Sequence, residues 1–199
     1  MVEPVGSPQH AEAAAAVDAA LRNASSYSSI SHERFLALEE FALQKNAPEP
    51  EAVRALEELS ESGEKMEAPF QKLLEMYPAL LASTVMGGWK TFIIPQKRLG
   101  SEYIPDFLVL GVNSIGPQWV TVDIEAARHS IVNNDGTLSG ATRHGVKQIQ
   151  DWRDWMMTNV TYAQTELGLH GRTNRAPGLV IIGRDIPSFS RQPARAQSV

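Results

Sequence analysis

The sequence predicts an α/β domain with a mixed sheet and flanking helices, preceded by a small helical N-terminal region. Three observations lead there. Runs at helical spacing and short strand-like runs follow one another in the order helix, strands, helix, strand. Two of the strand-like runs are separated by the turn-rich stretch Asn113 to Gln118, which makes them an antiparallel hairpin. The last run, Gly178 to Gly183, is apolar on both faces and bounded by glycines, the pattern of a fully buried strand.

Taken in order, residues 1–30 are rich in Ala, Ser and small polar residues. Ala11 to Leu21 suits a helix, and the serine-rich stretch from Asn23 reads as a flexible break. Ser31 to Arg34 looks like a helix start, followed by Phe35, Leu36, Leu38, Phe41 and Ala42 at helical spacing. Pro48 and Pro50 stop it, and Glu51 to Leu59 is a second short amphipathic helix, closed by Ser62 and Gly63. Phe70, Leu73, Leu74, Tyr77, Leu80 and Leu81 then predict a helix over roughly Lys65 to Ser83, with Pro69 in its first turn. Strands are expected at Lys90 to Pro95, Pro105 to Leu110 and Trp119 to Glu125, and a helix from about Ser139 to Asn159. These boundaries divide the chain into a helical, partly flexible region 1–63, a core 64–187 and a disordered tail 188–199.

Bulk properties exclude several classes of function. A chain of 199 residues, 43% hydrophobic, holds one ordinary domain and an appendage. It has no cysteine, which removes disulfides, thiolate zinc sites and cysteine nucleophiles and suits a cytoplasmic setting. No secretory leader is visible, and the apolar runs are too short to span a bilayer, so no membrane partner is expected. The net charge of −5 argues against a general polycation. Its distribution is uneven: residues 1–67 carry 5 basic and 13 acidic side chains, whereas Arg172, Arg175, Arg184, Arg191 and Arg195 stand against Asp185 in the last segment. An acidic front and an arginine-bearing end suit a DNA-facing C-terminal half, and random surface unevenness explains them as well.

Chemistry concentrates in the hairpin. Val120, Val122 and Ile124 alternate with Thr121, Asp123 and Glu125, so Asp123 and Glu125 share one face, about 7 Å apart along the strand. Asp106 follows Pro105 at the start of the preceding strand, beside the end of the next one in an antiparallel hairpin. Three carboxylates at one sheet edge repel unless a cation neutralises them, and all-oxygen ligands suit Mg²⁺ or Mn²⁺. A solvent-facing polar edge is the alternative. The following helix carries Gln148, Trp152 and Trp155 on the face expected to pack on the sheet. Gln148 is a neutral amide suited to a bound water or a phosphate, while the tryptophans read as core filling.

Together these segments resemble the Shedu family of bacterial anti-phage defence proteins, whose catalytic domain is a PD-(D/E)xK nuclease. The similar stretch runs from about Glu67 to Asp185. It takes in Glu67 to Glu75 with Tyr77 and Pro78, Leu99 to Phe107, Val122 to Glu125, Asn134 to Ser139, Gln148 to Trp152 and Val180 to Gly183. The resemblance implies a restriction-endonuclease-like core and a Mg²⁺- or Mn²⁺-dependent endonuclease acting on DNA in the cytoplasm, as a homo-oligomer. By resemblance Asp106 and Asp123 are metal ligands, Glu125 fills the third motif position as a further ligand, Gln148 is the accessory residue and Glu67 an outer helper. Arg143 and Lys147 on the Gln148 helix are expected to contact phosphates without reading sequence. Two departures stand out. The family motif is most often Glu-x-Lys, and here it is Asp123 and Glu125, with Lys97, Arg98 and Arg128 the nearest candidates for the missing positive charge. Family members also usually continue beyond the last strand, which implies a truncated or minimal version. The rival class is a catalytically inactive relative that binds nucleic acid as a sensor or serves as a scaffold in a defence complex.

Overall fold

The central pair of strands forms because nearly every position in it is apolar or β-branched. In the computed structural model, which describes residues 35–64, 66–85, 89–114, 116–171 and 176–183, all of β2 (Phe107–Asn113) is buried. It pairs antiparallel with β1 (Lys90–Pro95) on one side and with β3 (Gly116–Ile124) on the other. A fourth strand, β4 (Gly178–Ile181), runs parallel to β3, giving a mixed sheet in the order β1-β2-β3-β4. The expected α/β class and hairpin are therefore present. The helix and flexible break before Arg34, the tail from 188, and Arg172, Arg175, Arg184, Asp185, Arg191 and Arg195 lie outside the described residues.

Helices cover both faces. Helix α1 spans Pro50–Glu61 and α2 spans Ala68–Met76; α3 spans Gly140–Thr158 and α4 spans Val160–Thr165. Phe70 and Leu74 of α2 pack with Leu81 and Val85 on Ile93, Phe107, Val109, Val120, Val122 and Ile124. The opposite face, formed by Phe92, Ile94, Leu108, Leu110, Val112 and Trp119, meets Ile149, Trp152 and Met156 of α3 and Ala163 of α4. Strand alternation thus divides the hydrophobic side chains into two layers. Phe35 and Leu38 join the second layer, and the Ala42–Phe92 bridge with the Leu43 N–H to Thr91 carbonyl bond (2.8 Å) ties this segment to β1.

Several boundaries differ from the sequence expectation for identifiable reasons. The helix expected over 65–83 breaks at Tyr77, and Pro78–Thr84 continues as a 3₁₀ helix. Proline lacks the N–H for the helical ladder and drives the residue before it out of the α region. Phe35 to Ala42 forms a 3₁₀ helix over Leu36–Phe41 rather than an α-helix. The hairpin turn is tighter than expected, with Asn113 paired to Gly116, where φ is 114°. Strand β4 lies at the sheet edge among the described residues and is only half buried, since it has β3 on one side alone. Among the described residues no helix is long and apolar enough to cross a membrane.

Helix α3 positions the site, and its start is fixed by chemistry visible in the sequence. Ser139 caps it, accepting from the Thr142 N–H at 3.1 Å, while the Thr142 hydroxyl donates to the Ile131 carbonyl at 2.7 Å. Replacing Ser139 with Ala is expected to cost about 1 kcal/mol and lower Tm by roughly 2–4 °C, measured by thermal denaturation. An unchanged melting point would assign the helix start to packing alone.

Candidate active site

The strand register carries three carboxylates to one end of the hairpin. Phe107 pairs with Val122, so Asp106, one residue earlier, stands opposite Asp123, one residue later. The pair is locked from the backbone: the Ile124 N–H donates to Asp106 Oδ2 at 2.7 Å. The Asp106 carbonyl accepts from the Gln96 N–H at 2.9 Å, with Gln71 Nε2 of α2 at 3.5 Å. Asp123 is 2% exposed and faces α3, where Gly145 lies against its Oδ2. That oxygen has no hydrogen-bond partner in the structure. Glu125 is also buried, and its backbone N–H bonds to the Ile181 carbonyl of β4 at 2.8 Å.

Electrostatics mark the cluster as short of positive charge. Burial pushes Asp106 up to about 6; the Ile124 amide opposes this, and Glu67 and Glu125 add to it. Asp123 is pushed up to about 7, first by burial, then by the charges of Asp106 and Glu125, with His144 pulling the other way and Glu67 adding a small rise. Both carboxyl groups therefore keep their protons to a higher pH than an ordinary aspartate, chiefly because burial disfavours the charged form.

The other expected residues fall less centrally. Glu67, at the start of α2, is exposed and acts on the aspartates through its field. Gln148 is half buried beside the inward stripe of Thr142, Gly145, Ile149, Trp152 and Met156. Among the described residues its side chain makes no hydrogen bond to the carboxylates. Trp152 is core filling, as expected, and Trp155 packs against the same core. Arg143 and Lys147 are exposed; Arg143 donates to the Leu138 carbonyl and Lys147 pairs with Asp151 at 2.6 Å.

Two histidines were missed. His144 Nδ1 lies 3.0 Å from Glu125 Oε1, and His129 Nδ1 lies 3.7 Å from Glu125 Oε2. Arg128, one of the candidates for a nearby positive charge, donates from Nε to His129 Nε2 at 3.2 Å and so reaches Glu125 only through that ring. A signal for His144 existed: it stands one helical turn before Gln148, on the same face.

The donor set fits a hard, oxygen-seeking divalent cation such as Mg²⁺ or Mn²⁺ better than a soft, thiolate-seeking one. The Asp123 Oδ2 atom is buried without a partner, and the Asp106 carboxylate is held by the Ile124 N–H at Oδ2. Among the described residues no group of three or more His, Asp or Glu side chains is placed to hold a metal ion. Mg²⁺ does not require one, because it keeps several waters and takes one or two carboxylates together with substrate phosphate.

No curated protein and no solved structure matches the chain. A family model described as Shedu protein SduA, C-terminal, however, matches residues 64–198, well over half of the sequence and the whole of the hairpin, α3 and β4, and the chain belongs to the Shedu family.

Proposed function

We propose that this Shedu protein is a Mg²⁺- or Mn²⁺-dependent endonuclease of the PD-(D/E)xK kind that hydrolyses DNA phosphodiester bonds. Membership of the Shedu family implies a part in anti-phage defence. The observation that carries the enzymatic reading is the pairing of half-buried Asp106 with buried Asp123, both with raised pKa values, with an unpartnered oxygen on Asp123. The arrangement of a helix, an acidic antiparallel hairpin, a second helix and a parallel strand supports the same superfamily. Asp106 and Asp123 would hold the ion, and Glu125 would join them as a ligand only as the side chains close around it. When bound, the ion supplies a Lewis acid that lowers the pKa of a water and offsets charge developing on the scissile phosphate.

The chain's own residues have distinct tasks in this reading. Asp106 is fixed by the Ile124 amide, so its carboxylate is presented in one orientation. Gly145 lets α3 approach closely enough to exclude water from Asp123. Glu125 positions the attacking water and accepts its proton as the new P–O bond forms and a bridging P–O bond breaks. Gln148 steadies a water or a phosphate oxygen from the helix face. Arg143 and Lys147 meet backbone phosphates, and Lys147 must exchange Asp151 for phosphate to do so. Cytoplasmic location and self-association belong to the same proposal.

Plasmid nicking with Mg²⁺ or Mn²⁺ tests it. Wild type is expected to cut, and Asp106→Ala and Glu125→Ala to lose cutting while keeping their fold by circular dichroism. Absence of cleavage, with DNA binding that ignores both substitutions, would overturn the enzyme and leave a nucleic-acid-binding sensor or scaffold.

A further inference from the structure

Glu125 is the carboxylate whose surroundings differ most from those of its neighbours. Asp106 is bonded to a backbone amide and Asp123 has an unpartnered oxygen, whereas each oxygen of Glu125 has an imidazole nitrogen beside it. The two rings come from different elements. His144 projects from the first turns of α3, and His129 from the loop that leaves β3. His144 Nδ1 is at hydrogen-bond distance from Oε1, 3.0 Å, and His129 Nδ1 is at 3.7 Å from Oε2.

The tautomer of His129 follows from its other partner. An arginine Nε–H can only donate, so His129 Nε2, which receives Arg128 at 3.2 Å, presents its lone pair. In the neutral ring the proton is then on Nδ1, the buried nitrogen that faces Glu125 and has no hydrogen-bond partner. A donor of that kind in a buried place needs an acceptor, and the Glu125 carboxylate is beside it. His144 is different in kind: its side chain is 65% exposed, and it completes the pair from the open side.

We infer that His129 and His144 are positioning residues that clamp the Glu125 carboxylate between two imidazoles, His144 by a hydrogen bond to Oε1 and His129 by the polar contact of its Nδ1 with Oε2. This rests on the proposal that Glu125 belongs to a divalent-metal site, and it explains how a glutamate can keep one orientation at the end of β3. A glutamate side chain has three rotatable bonds, and the His144 hydrogen bond, with the His129 ring beside the other oxygen, fixes the last of them. Carboxylate ligands of metals are held in this way by outer partners, whose loss weakens metal affinity without removing a ligand. The clamp also links Arg128 to the site through His129, supplying positive charge at one remove where Glu125 stands in the third motif position.

Two measurements on the full chain test the clamp separately from the enzymatic reading. The first needs no metal: ¹⁵N spectra of the histidine rings, which report the tautomer of each ring directly. Both His129 and His144 are expected to show the Nδ1–H tautomer, and His144 to revert toward the Nε2–H form in Glu125→Leu. Finding His144 as Nε2–H in the wild type overturns the clamp whatever the metal does. The second is Mn²⁺ binding followed by calorimetry. His144→Ala is expected to weaken it roughly 10–100-fold, the usual loss for an outer partner of a metal ligand. His144→Asn, whose amide donates from nearly the same place as Nδ1, is expected to regain most of that affinity. His144→Ala binding Mn²⁺ as tightly as wild type, while Glu125→Gln binds weakly, also overturns the clamp. Wild type that binds no Mn²⁺ overturns the metal site instead, and the ring tautomers then decide the clamp on their own.

Discussion

At pH 8, Asp123→Asn is expected to melt roughly 5–10 °C above the wild type while losing metal-dependent cleavage. The carboxyl of Asp123 ionises at about 7 in the folded chain against an ordinary 3.8, and Asp106 at about 6. A carboxyl raised on folding binds its proton more tightly in the native state. Its contribution is fully present below pH 4 and is lost as pH rises through 6 and 7. Stability from this pair should therefore fall between pH 4 and 8, and a neutral amide at 123 should remove the larger part of the fall. The shift at Asp123 corresponds to at most on the order of 4 kcal/mol, and relaxation of the site reduces the expected gain to about 2–3 kcal/mol. Near pH 4 the two proteins should melt alike, since protonated aspartic acid and asparagine are both neutral. Millimolar Mn²⁺ should raise the wild-type Tm at pH 8 and leave the variant unchanged, because an ion that binds only the native state stabilises it. Thermal melts across pH, with and without Mn²⁺, measure all of this. A variant less stable than wild type at pH 8 would mean that Asp123 already has its counter-charge.

Much of this arrangement is legible in the sequence because it depends on local geometry. The alternation from Val120 to Glu125 fixes which side chains share a face, and the short turn after Asn113 brings Asp106 back beside Asp123. The break at Tyr77 was also within reach, since Pro78 forbids what the apolar spacing suggested. Other features depend on how distant segments meet. His129 and His144 belong to no motif with Glu125; only the placement of α3 over the end of β3 brings them to it. The apolar run from Gly178 reads the same for a central strand as for an edge, so its half-buried state follows from pairing alone. Phe35 and Leu38 have a recognisable stripe, but a stripe does not name the surface it covers, which proved to be the core around Phe92. The family match extends over the same segments that carried the resemblance, whereas the identity of the chemistry rests on side chains.

Gly145→Ala joins these two levels, packing and chemistry, in one residue. In a free helix the change would favour the fold by about 1 kcal/mol, because glycine is the poorer helix former. Here the added methyl would press on Asp123 Oδ2 and stand 2.8 Å from Val180 Cγ1 and 3.1 Å from its Cγ2. Neither neighbour can swing away easily: Asp123 sits within β3 and Val180 within β4, so α3 must lift from the sheet. Overpacking of this kind costs roughly 1–3 kcal/mol, which exceeds the propensity gain, and the expected net loss is about 1–2 kcal/mol. Cleavage should suffer more than stability, since displacing a catalytic group by about 1 Å can cost 100-fold in rate. Gly140→Ala is the matched control, because a Cβ there meets nothing within 4 Å and should leave both Tm and nicking close to wild type. If Gly145→Ala melts and cuts like Gly140→Ala, the close approach of α3 to Asp123 is not what shapes the site. A lower Tm with full cutting would separate the two roles and assign the glycine to packing. A small loss of stability with a large loss of rate would mark it as the residue that lets the helix seal Asp123 away from water.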